Sequence, residues 1–317
     1  MKITEHLEKA SETLISFEII PPKRGGNFQQ LMSALDDLVK YNPPFIDITS
    51  HAAEVEYEEL PGGGYKIKVK RKRPGTLGIC ALVQNKYHID AVPHVICKGF
   101  TREETEDFLI ELHYLGIDNV LVVRGDESGY EKPVKFNRSV NEYAIDLVKQ
   151  VSDLNKGKYL EDTLLDAQPT DFCIGVGGYP EKHFEAPNIE MDIRHTKAKI
   201  DAGADYIVTQ MFYDNERYFN YVDLCRQHGI GVPIIPGLKL ITSQKQLSSI
   251  PKNFHVDIPS DLAEEVAKAK PEHVVDIGVE WALKQVEELI NANVPAVHFY
   301  VMQNTLPIKK LMQKLNI

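Results

Sequence analysis

The stretch LISFEIIPP, residues 14–22, sets the pattern that decides the fold. Its apolar and β-branched side chains favour an extended strand, and the two prolines end that strand. Apolar side chains alternate onto both faces, which is typical of a strand covered on both sides within a parallel sheet. The same alternation places Glu18 on the face of Ser16, near the carboxyl end of the strand.

Seven further strands of this kind follow along the chain, separated mostly by segments with helical periodicity. The predicted strands cover residues 14–20, 45–49, 92–97, 119–123, 172–176, 206–209, 233–235 and 297–301, and helices are predicted over 27–40, 101–116, 139–154, 188–203, 214–229 and 273–292. This alternation predicts one α/β domain over residues 1–317, with the architecture of a (β/α)8 TIM barrel. A doubly wound open sheet is the alternative, because strand order cannot be read from one sequence.

Composition and charge exclude several classes of protein. Hydrophobic residues make up 43% of the chain and charged residues 26%, which is typical of a water-soluble domain with a sizeable core. The net charge of −10 disfavours a broad surface for nucleic acid or anionic membranes. The N-terminus is charged and no apolar run reaches 18 residues, so we expect neither a signal peptide nor a membrane span, and a cytoplasmic location. The four scattered cysteines are predicted to be buried, reduced thiols.

One segment, residues 54–74, interrupts the alternation and is predicted to be an inserted β-hairpin. An acidic strand, EVEYEE, and a basic strand, YKIKVK, flank a turn rich in glycine. Folding about this turn pairs Glu54, Glu56 and Glu58 with Lys70, Lys68 and Lys66 on one face, and Val55 and Tyr57 with Val69 and Ile67 on the other. A solvated, salt-bridged hairpin is therefore predicted. A patch for phosphate or nucleic acid is the alternative, because Arg71, Lys72 and Arg73 have no partner in this pairing.

Polar side chains near the carboxyl ends of the predicted strands are the candidates for chemistry, because TIM barrels hold their active sites there. Burial would raise the pKa of Glu18 toward neutrality, as a general acid requires, but a structural carboxylate paired with a basic residue is an equal alternative. Asp126 follows a strand in VLVVRGD, although Gly-Asp after a strand is most often a turn. Gln210 ends the strand in DYIVTQ, and is either a hydrogen-bonding group of the site or a satisfied rim amide. For His94, a core histidine satisfied by the backbone is the usual explanation, and a ligand contact is the rarer one.

Several common motifs are missing from the sequence. The glycines of IGVGGYPEKH, residues 174–183, lack the GxGxxG spacing, and the next helix starts only near residue 188, so a Rossmann fingerprint is rejected. The sequence also has no Walker A loop, HExxH, GxSxG or spaced Cys/His set. Phosphoryl transfer, serine hydrolysis and a bound metal therefore have no support.

Eight short motifs occur in the order found in a known family. They are SFEIIPP (16–22), FIDITSHA (45–52), PHVIC (93–97), VRGD (123–126), GYPEKH (178–183), DAGADYIVTQMFYD (201–214), IIPG (234–237) and VHFYVMQN (297–304). Together they cover essentially the whole chain, which on this basis resembles the 5,10-methylenetetrahydrofolate reductase family. The resemblance is to the bacterial type, a catalytic barrel alone, whereas the eukaryotic members carry a further C-terminal regulatory domain.

The resemblance implies an enzyme with non-covalent FAD, which NADH or NADPH reduces and which then reduces 5,10-methylenetetrahydrofolate to 5-methyltetrahydrofolate for methionine synthesis. Both substrates are expected to use one site in turn. Glu18 matches the general acid that protonates folate N10, so that the ring opens to an N5 iminium. Asp126 matches the aspartate near the flavin N1 and the pterin. Small-molecule substrates, a homo-oligomer, and neither nucleic-acid nor membrane partners are also implied.

The remaining site residues transfer motif by motif from the same resemblance. It assigns FAD contacts to Thr49, Ser50, Ala52, His94, Arg124, Gly125, Asp126, Tyr143, Ala144, Tyr179, His183, Ala186, Asp192, His195 and Lys199. It assigns substrate contacts to Glu18, Asp126, Gln210, Gln246 and Asn304. Spacings of three and four residues predict that Asp192, His195 and Lys199 share one helix face, where Lys199 supplies a positive charge for the pyrophosphate.

The sequence departs from the family pattern at two positions. Asn304 stands where the family often has an arginine that contacts the glutamate tail of folate, and Ile250 stands where relatives place an aromatic residue. Two alternatives to the reductase remain: a flavin-free barrel that transfers a one-carbon group from a pterin, and a folate-binding barrel without turnover in which Glu18 is structural.

Overall fold

The computed structural model describes residues 1–125 and 138–317. The strands in these ranges are β1 (Leu14–Ile19), β2 (Phe45–Ile48), β3 (Glu54–Glu59), β4 (Tyr65–Lys70), β5 (Asp90–Ile96), β6 (Asn119–Val123), β7 (Cys173–Gly178), β8 (Tyr206–Thr209), β9 (Ile234–Ile235), β10 (Gly237–Leu238) and β11 (Ala296–Met302). The α-helices are α1 (Ile3–Lys9), α2 (Phe28–Leu38), α3 (Thr76–Leu82), α4 (Arg102–Tyr114), α5 (Ala144–Leu154), α6 (Ile189–Asp201), α7 (Asn215–Gln227), α8 (Gln246–Phe254), α9 (Ser260–Lys268), α10 (Val274–Asn291) and α11 (Leu306–Leu315).

Nine strands form one parallel sheet that wraps into a nearly closed barrel. Their order is β10-β11-β1-β2-β5-β6-β7-β8-β9, and a single residue, Pro236, separates β9 from β10 at the two ends of the sheet. Proline has no N–H to donate to a sheet ladder, so it divides this strand in two. β9 then pairs with β8, and β10 pairs with β11. The predicted (β/α)8 TIM barrel is confirmed, and the alternative prediction of a doubly wound open sheet is wrong.

The eight predicted strands are all present, with bounds that differ from the prediction by at most two residues. The helix predicted to start at residue 139 starts instead at Ala144. β10 was not predicted, because two residues after a proline carry no periodicity of their own. Helices α1, α3, α8, α9 and α11 were also missed, and all of these are only seven to ten residues long.

The barrel has one apolar layer outside its strands and a second inside. The outer layer packs the strands against the helices, with Phe17 and Ile19 of β1 among its members. The inner layer is formed by Phe45, Val92, Leu121, Tyr206 and Ile235, together with Ile3 of α1. The Ile3 N–H donates to Asn119 Oδ1 at 2.9 Å, at the start of β6, so α1 covers the amino end of the barrel. The buried ionisable residues Glu18, Asp47 and His94 lie on the strands farther toward the carboxyl end.

The inserted hairpin has the predicted register. β3 and β4 pair as Glu54 with Lys70, Val55 with Val69, Glu56 with Lys68, Tyr57 with Ile67 and Glu58 with Lys66. Arg71, Lys72 and Arg73 lie outside this strand register, as predicted, but each has a partner nearby. Lys72 forms an ion pair with Glu54, and the two arginines donate to the backbone carbonyls of His51 and Pro21. The two arginines therefore connect the base of the hairpin to the loops after β1 and β2.

The four cysteines, Cys80, Cys97, Cys173 and Cys225, are free and buried, as predicted. Burial raises the pKa of the Cys225 thiol to about 11, so it stays protonated at neutral pH. None of the helices in the described part of the chain combines the length and the apolar character needed to cross a membrane.

Candidate active site

A glutamate, an aspartate and a histidine meet inside the carboxyl end of the barrel. Glu18 and Asp47 are paired in the register of β1 and β2, and His94 lies on the next strand, β5. His94 Nε2 is 3.4 Å from Glu18 Oε2 and 3.5 Å from Asp47 Oδ2. Glu18 is 7% exposed and Asp47 only 1%. Glu18 therefore lies where the strand pattern predicted, buried and near the carboxyl end of β1.

The imidazole of His94 lies between two carboxylates, so the interpretation of a histidine satisfied by the backbone is wrong. Burial lowers the pKa of this imidazole, but the Asp47 carboxylate and then the charge of Glu18 raise it, and the net direction is upward from 6.5. Two buried carboxylates this close repel one another unless a cation lies between them. The raised pKa of His94 favours a positive charge at this position.

Replacing Asp47 by asparagine is expected to lower the pKa of His94 by about one unit, because an opposite charge nearby typically shifts a pKa by about 1–3 units. Histidine side-chain NMR across a pH titration measures this change. Asp90→Asn is the matched control, because Asp90 forms a similar pair with His6 at 2.7 Å near the amino end of the barrel. An unchanged His94 titration in Asp47→Asn would contradict the assignment of Asp47 as its main counter-charge.

A second polar pair lies beside this cluster inside the barrel. Ser16 Oγ is 2.8 Å from Nδ1 of His298 on β11, and the His298 ring stacks on Phe45. Burial lowers the pKa of His298, which keeps it neutral. Sequence reasoning did not single out Asp47 or His298. Both residues carry the same sequence signal as Glu18, which is an ionisable side chain inside a short apolar strand.

The residues assigned to the flavin lie on one continuous arc of the barrel. They follow or belong to β2, β5, β6 and β7, which are neighbours in that order in the sheet. The members at the strand ends are Thr49, Ser50, Ala52, His94, Arg124, Gly125, Tyr179, His183 and Ala186, and Tyr143, Ala144, Asp192, His195 and Lys199 come from α5 and α6 or their caps. Asp126, assigned to both flavin and folate, lies outside the described residues. The fold thus places these distant motifs side by side.

Arg124 and Gly125 begin the loop after β6. The guanidinium of Arg124 forms an ion pair with Glu185 and lies over the ring of Tyr143, with Cζ 5.3 Å from the ring centre. Gly125 has a φ of +89°, in the left-handed region that glycine adopts without strain. The backbone therefore takes a conformation at Gly125 that suits glycine, and the interpretation of Asp126 as a turn residue concerns a position outside the described residues.

Two of the three flavin-assigned residues on α6 contact β7 or the loop that follows it. Asp192 is buried and its Oδ2 accepts from the His183 N–H at 2.9 Å, while Lys199 Nζ donates to the Gly177 carbonyl at 2.7 Å. His195, by contrast, is exposed. The helix therefore directs Asp192 and Lys199 toward β7, and a joint contact by all three residues would need a ligand that reaches the surface.

The residues assigned to the substrate lie on the remaining part of the rim. Gln210 follows β8, and its Oε1 accepts from the Met211 N–H at 3.0 Å. The Oε1 of Gln246 accepts from the Thr242 and Ser243 N–H groups at 2.6 and 3.0 Å, which closes the loop before α8. Asn304 is exposed after β11, and its Oδ1 accepts from the Leu306 N–H. Each of these side chains therefore also shapes its own loop.

Ile250, at the position of the family's aromatic residue, belongs to an apolar cluster outside the barrel. It is 2% exposed and packs with Met211, Tyr213, Ile241 and Val256 among others. A side chain this deeply buried has little surface to offer a ligand.

The fold and site together define a TIM barrel whose carboxyl end carries buried ionisable side chains on one part of its rim and basic side chains on another. Comparison with known proteins then identifies the family. The family model described as methylenetetrahydrofolate reductase matches residues 2–316, and the chain belongs to this family.

Individual relatives agree with this assignment. The chain is 30% identical to methylenetetrahydrofolate reductase 1 of Schizosaccharomyces pombe, over 100% of this chain and 49% of that protein. It is 29% identical to the 5,10-methylenetetrahydrofolate reductase of Pectobacterium carotovorum, over 91% of this chain and 85% of that protein. The chain thus spans about half the length of its fungal and plant relatives and most of the length of the bacterial one.

Among solved structures, the chain is similar to an uncharacterized protein from Clostridium thermocellum that binds two copies of 5-methyl-5,6,7,8-tetrahydrofolic acid. The TM-score is 0.56 at 14% identity, and the match covers 98% of this chain and 96% of the other. At this level of identity the likeness establishes a shared fold.

Proposed function

We propose that this chain reduces 5,10-methylenetetrahydrofolate to 5-methyltetrahydrofolate, with NADH or NADPH as the source of electrons and FAD as the carrier between them. The observation that carries the proposal is the buried Glu18 beside His94 at the carboxyl end of β1. Family membership supports the reaction class. The arc of flavin-assigned residues begins at the adjacent strand, β2.

Glu18 is proposed to deliver the proton that the folate needs at N10. The C–N bond to N10 breaks more easily when that nitrogen is protonated as it leaves, because the electron pair then does not accumulate as charge. Proton transfer leaves a carboxylate on Glu18, and His94 at 3.4 Å supplies positive charge beside it. The shielded position of Glu18 restricts access of water to the proton.

The residues of the arc fit a polar, anionic cofactor such as FAD. The Thr49 hydroxyl is buried and has no hydrogen-bond partner among the described residues, so it is available to a ligand. Lys199 offers an ammonium group whose remaining protons can bind a phosphate after its bond to Gly177. We assign the flavin to Thr49, His94 and the β6 and β7 loops, and its phosphates to Lys199. When bound, FAD supplies hydride transfer between the nicotinamide and the folate.

The visible spectrum of the purified protein tests the whole proposal. Anaerobic NADH, or NADPH in a parallel sample, should bleach a flavin band, and methylenetetrahydrofolate should then restore it. A colourless protein that takes up no added FAD and oxidises neither nucleotide would contradict the proposal. That result would instead favour the flavin-free pterin barrel.

Lys199→Met is expected to weaken FAD binding by at least tenfold, because it removes a charge-assisted contact to a phosphate. Equilibrium dialysis of flavin against apo-protein measures the affinity. Lys197→Met is the matched control, since Lys197 lies on the same helix but pairs with Asp201. Equal affinities in the two variants would remove Lys199 from the phosphate site.

The charge on Lys199 also predicts a pH dependence. Burial lowers the pKa of its ammonium from 10.5 to about 8, so the group is charged below pH 8 and becomes neutral above it. FAD affinity of the wild-type apo-protein should therefore fall as the pH rises through and beyond 8. Lys199→Met should lack this fall.

A homo-oligomeric state and a cytoplasmic location stay predictions.

A further inference from the structure

Ionisable side chains follow one another around the rim of the barrel on five neighbouring strands. In sheet order they are Lys239 directly after β10, Tyr300 on β11, Glu18 on β1, Asp47 on β2 and His94 on β5. Glu18 and Tyr300 are register partners, as are Glu18 and Asp47. The two carboxylates are thus flanked by a histidine on one side and by Lys239 on the other. The histidine lies beside both carboxylates, whereas the lysine belongs to neither the flavin-assigned nor the substrate-assigned residues.

Lys239 is held at a defined place on this rim. Its Nζ donates to the Tyr300 carbonyl at 3.3 Å, on the strand that pairs with β1 next to Glu18. An ammonium group has three protons to donate, so this one long bond does not satisfy it. The side chain is only partly exposed, and burial lowers the pKa of its ammonium while the charge of Glu18 opposes that change. A bond to a neutral carbonyl alone does not offset the cost of burying a charge.

We propose that Lys239 is a positioning residue for the reduction step, a fixed cation that stabilises the carboxylate form of Glu18 from the side opposite His94. The inference rests on the proposed function, in which Glu18 gives its proton to the folate. Lys239 then makes Glu18 a stronger acid, because it favours the product of proton loss. His94 lies beside both carboxylates, whereas Glu18 is the carboxylate whose charge acts on Lys239.

The charged and titratable groups that face Glu18 in the described residues come from four neighbouring elements. Asp47 is the register partner of Glu18 on β2, and His94 Nε2 is 3.4 Å from Glu18 Oε2. Tyr300 stays neutral because burial raises its pKa well above its usual value. Lys239 is the group whose removal changes the charge on the β10–β11 side while leaving the Asp47–His94 pair in place.

The test is Lys239→Met, compared with Lys239→Arg, which keeps the charge. The pKa of Glu18 is read directly by ¹³C NMR of glutamate-labelled resting protein, with Glu18→Gln to assign the signal. We expect Lys239→Met to raise this pKa by about one unit, since losing one nearby opposite charge has an effect of this size. The alkaline limb of flavin reoxidation by methylenetetrahydrofolate should move upward by the same amount, and Lys239→Arg should retain the wild-type limb.

Lys252→Met is the matched control, because Lys252 is an exposed lysine on α8. NADH-driven bleaching should keep its pH profile in all variants, since no proton passes from Glu18 in that step. A Glu18 titration that is the same in Lys239→Met and in the wild type would overturn the proposal. A wild-type protein that is not reoxidised by the folate would instead overturn the proposed function, and the carboxyl titration would still decide the role of Lys239.

Discussion

Glu18→Gln should lower the rate of flavin reoxidation by methylenetetrahydrofolate by at least about 10²-fold, the lower end of what general acid catalysis contributes. Glutamine has nearly the same shape as glutamate, but its amide has no acidic proton to give to N10. The bleaching of flavin by NADH should continue at close to the wild-type rate, because that step needs no proton from Glu18. Anaerobic stopped-flow absorbance measures the two half-reactions separately.

A control variant makes this result specific. Glu58→Gln changes a glutamate in the exposed hairpin and should leave both half-reactions intact. If Glu18→Gln reoxidised normally, the general-acid assignment would be wrong and a structural carboxylate would be the better description. If both half-reactions were lost, the substitution would have damaged the site, and circular dichroism would then show whether the fold had changed.

The second large effect concerns stability and comes from a glycine in α10. A Cβ atom at Gly278 would lie 1.9 Å from the backbone oxygen of Ile241 and 2.9 Å from its carbonyl carbon. In an open helix, alanine is favoured over glycine by about 1 kcal/mol. Here the overlap is with backbone and cannot be relieved by a rotamer change, so Gly278→Ala should lower the free energy of unfolding by about 3 kcal/mol or more.

Gly78→Ala is the control with the opposite expected sign. Gly78 lies in α3, where an added Cβ would meet no atom within 4 Å. This substitution should therefore stabilise the protein by up to about 1 kcal/mol. Urea unfolding followed by circular dichroism measures both variants, and a Gly278→Ala protein as stable as Gly78→Ala would show that α10 can move away from Ile241.

Much of the fold could be predicted because each barrel strand can be recognised from its own residues. Asn119–Val123 and Tyr206–Thr209 were predicted at their observed bounds, since an apolar β-branched run between polar turns has few other conformations. The hairpin register was predicted from the alternating charges together with the position of the glycine turn, because a slip of one residue would place glutamates opposite apolar side chains. The second half of the divided strand, β10, was not predicted, because two residues take their conformation from the strands beside them.

The candidate site was only partly predictable for a related reason. Glu18 was conspicuous as one carboxylate in an apolar strand, but its position beside Asp47 and His94 depends on which strands are neighbours. The bonds of Gln246 to Thr242 and Ser243 likewise depend on the path of a loop. Nothing in the linear pattern around Lys239 indicated that its ammonium would reach Tyr300.

The sequence by itself determined that this chain alternates strands and helices, that Glu18 faces inward near a strand end, and that its motifs belong to one family. These features are local, because side-chain periodicity and turn chemistry depend on residues close together in the chain. Only the tertiary structure decided that His94 lies between Glu18 and Asp47, and that Lys239 stands two strands away on the other side. The physical reason is that the charges which act on a buried carboxylate come from neighbours in space, and sheet order rather than chain order selects those neighbours.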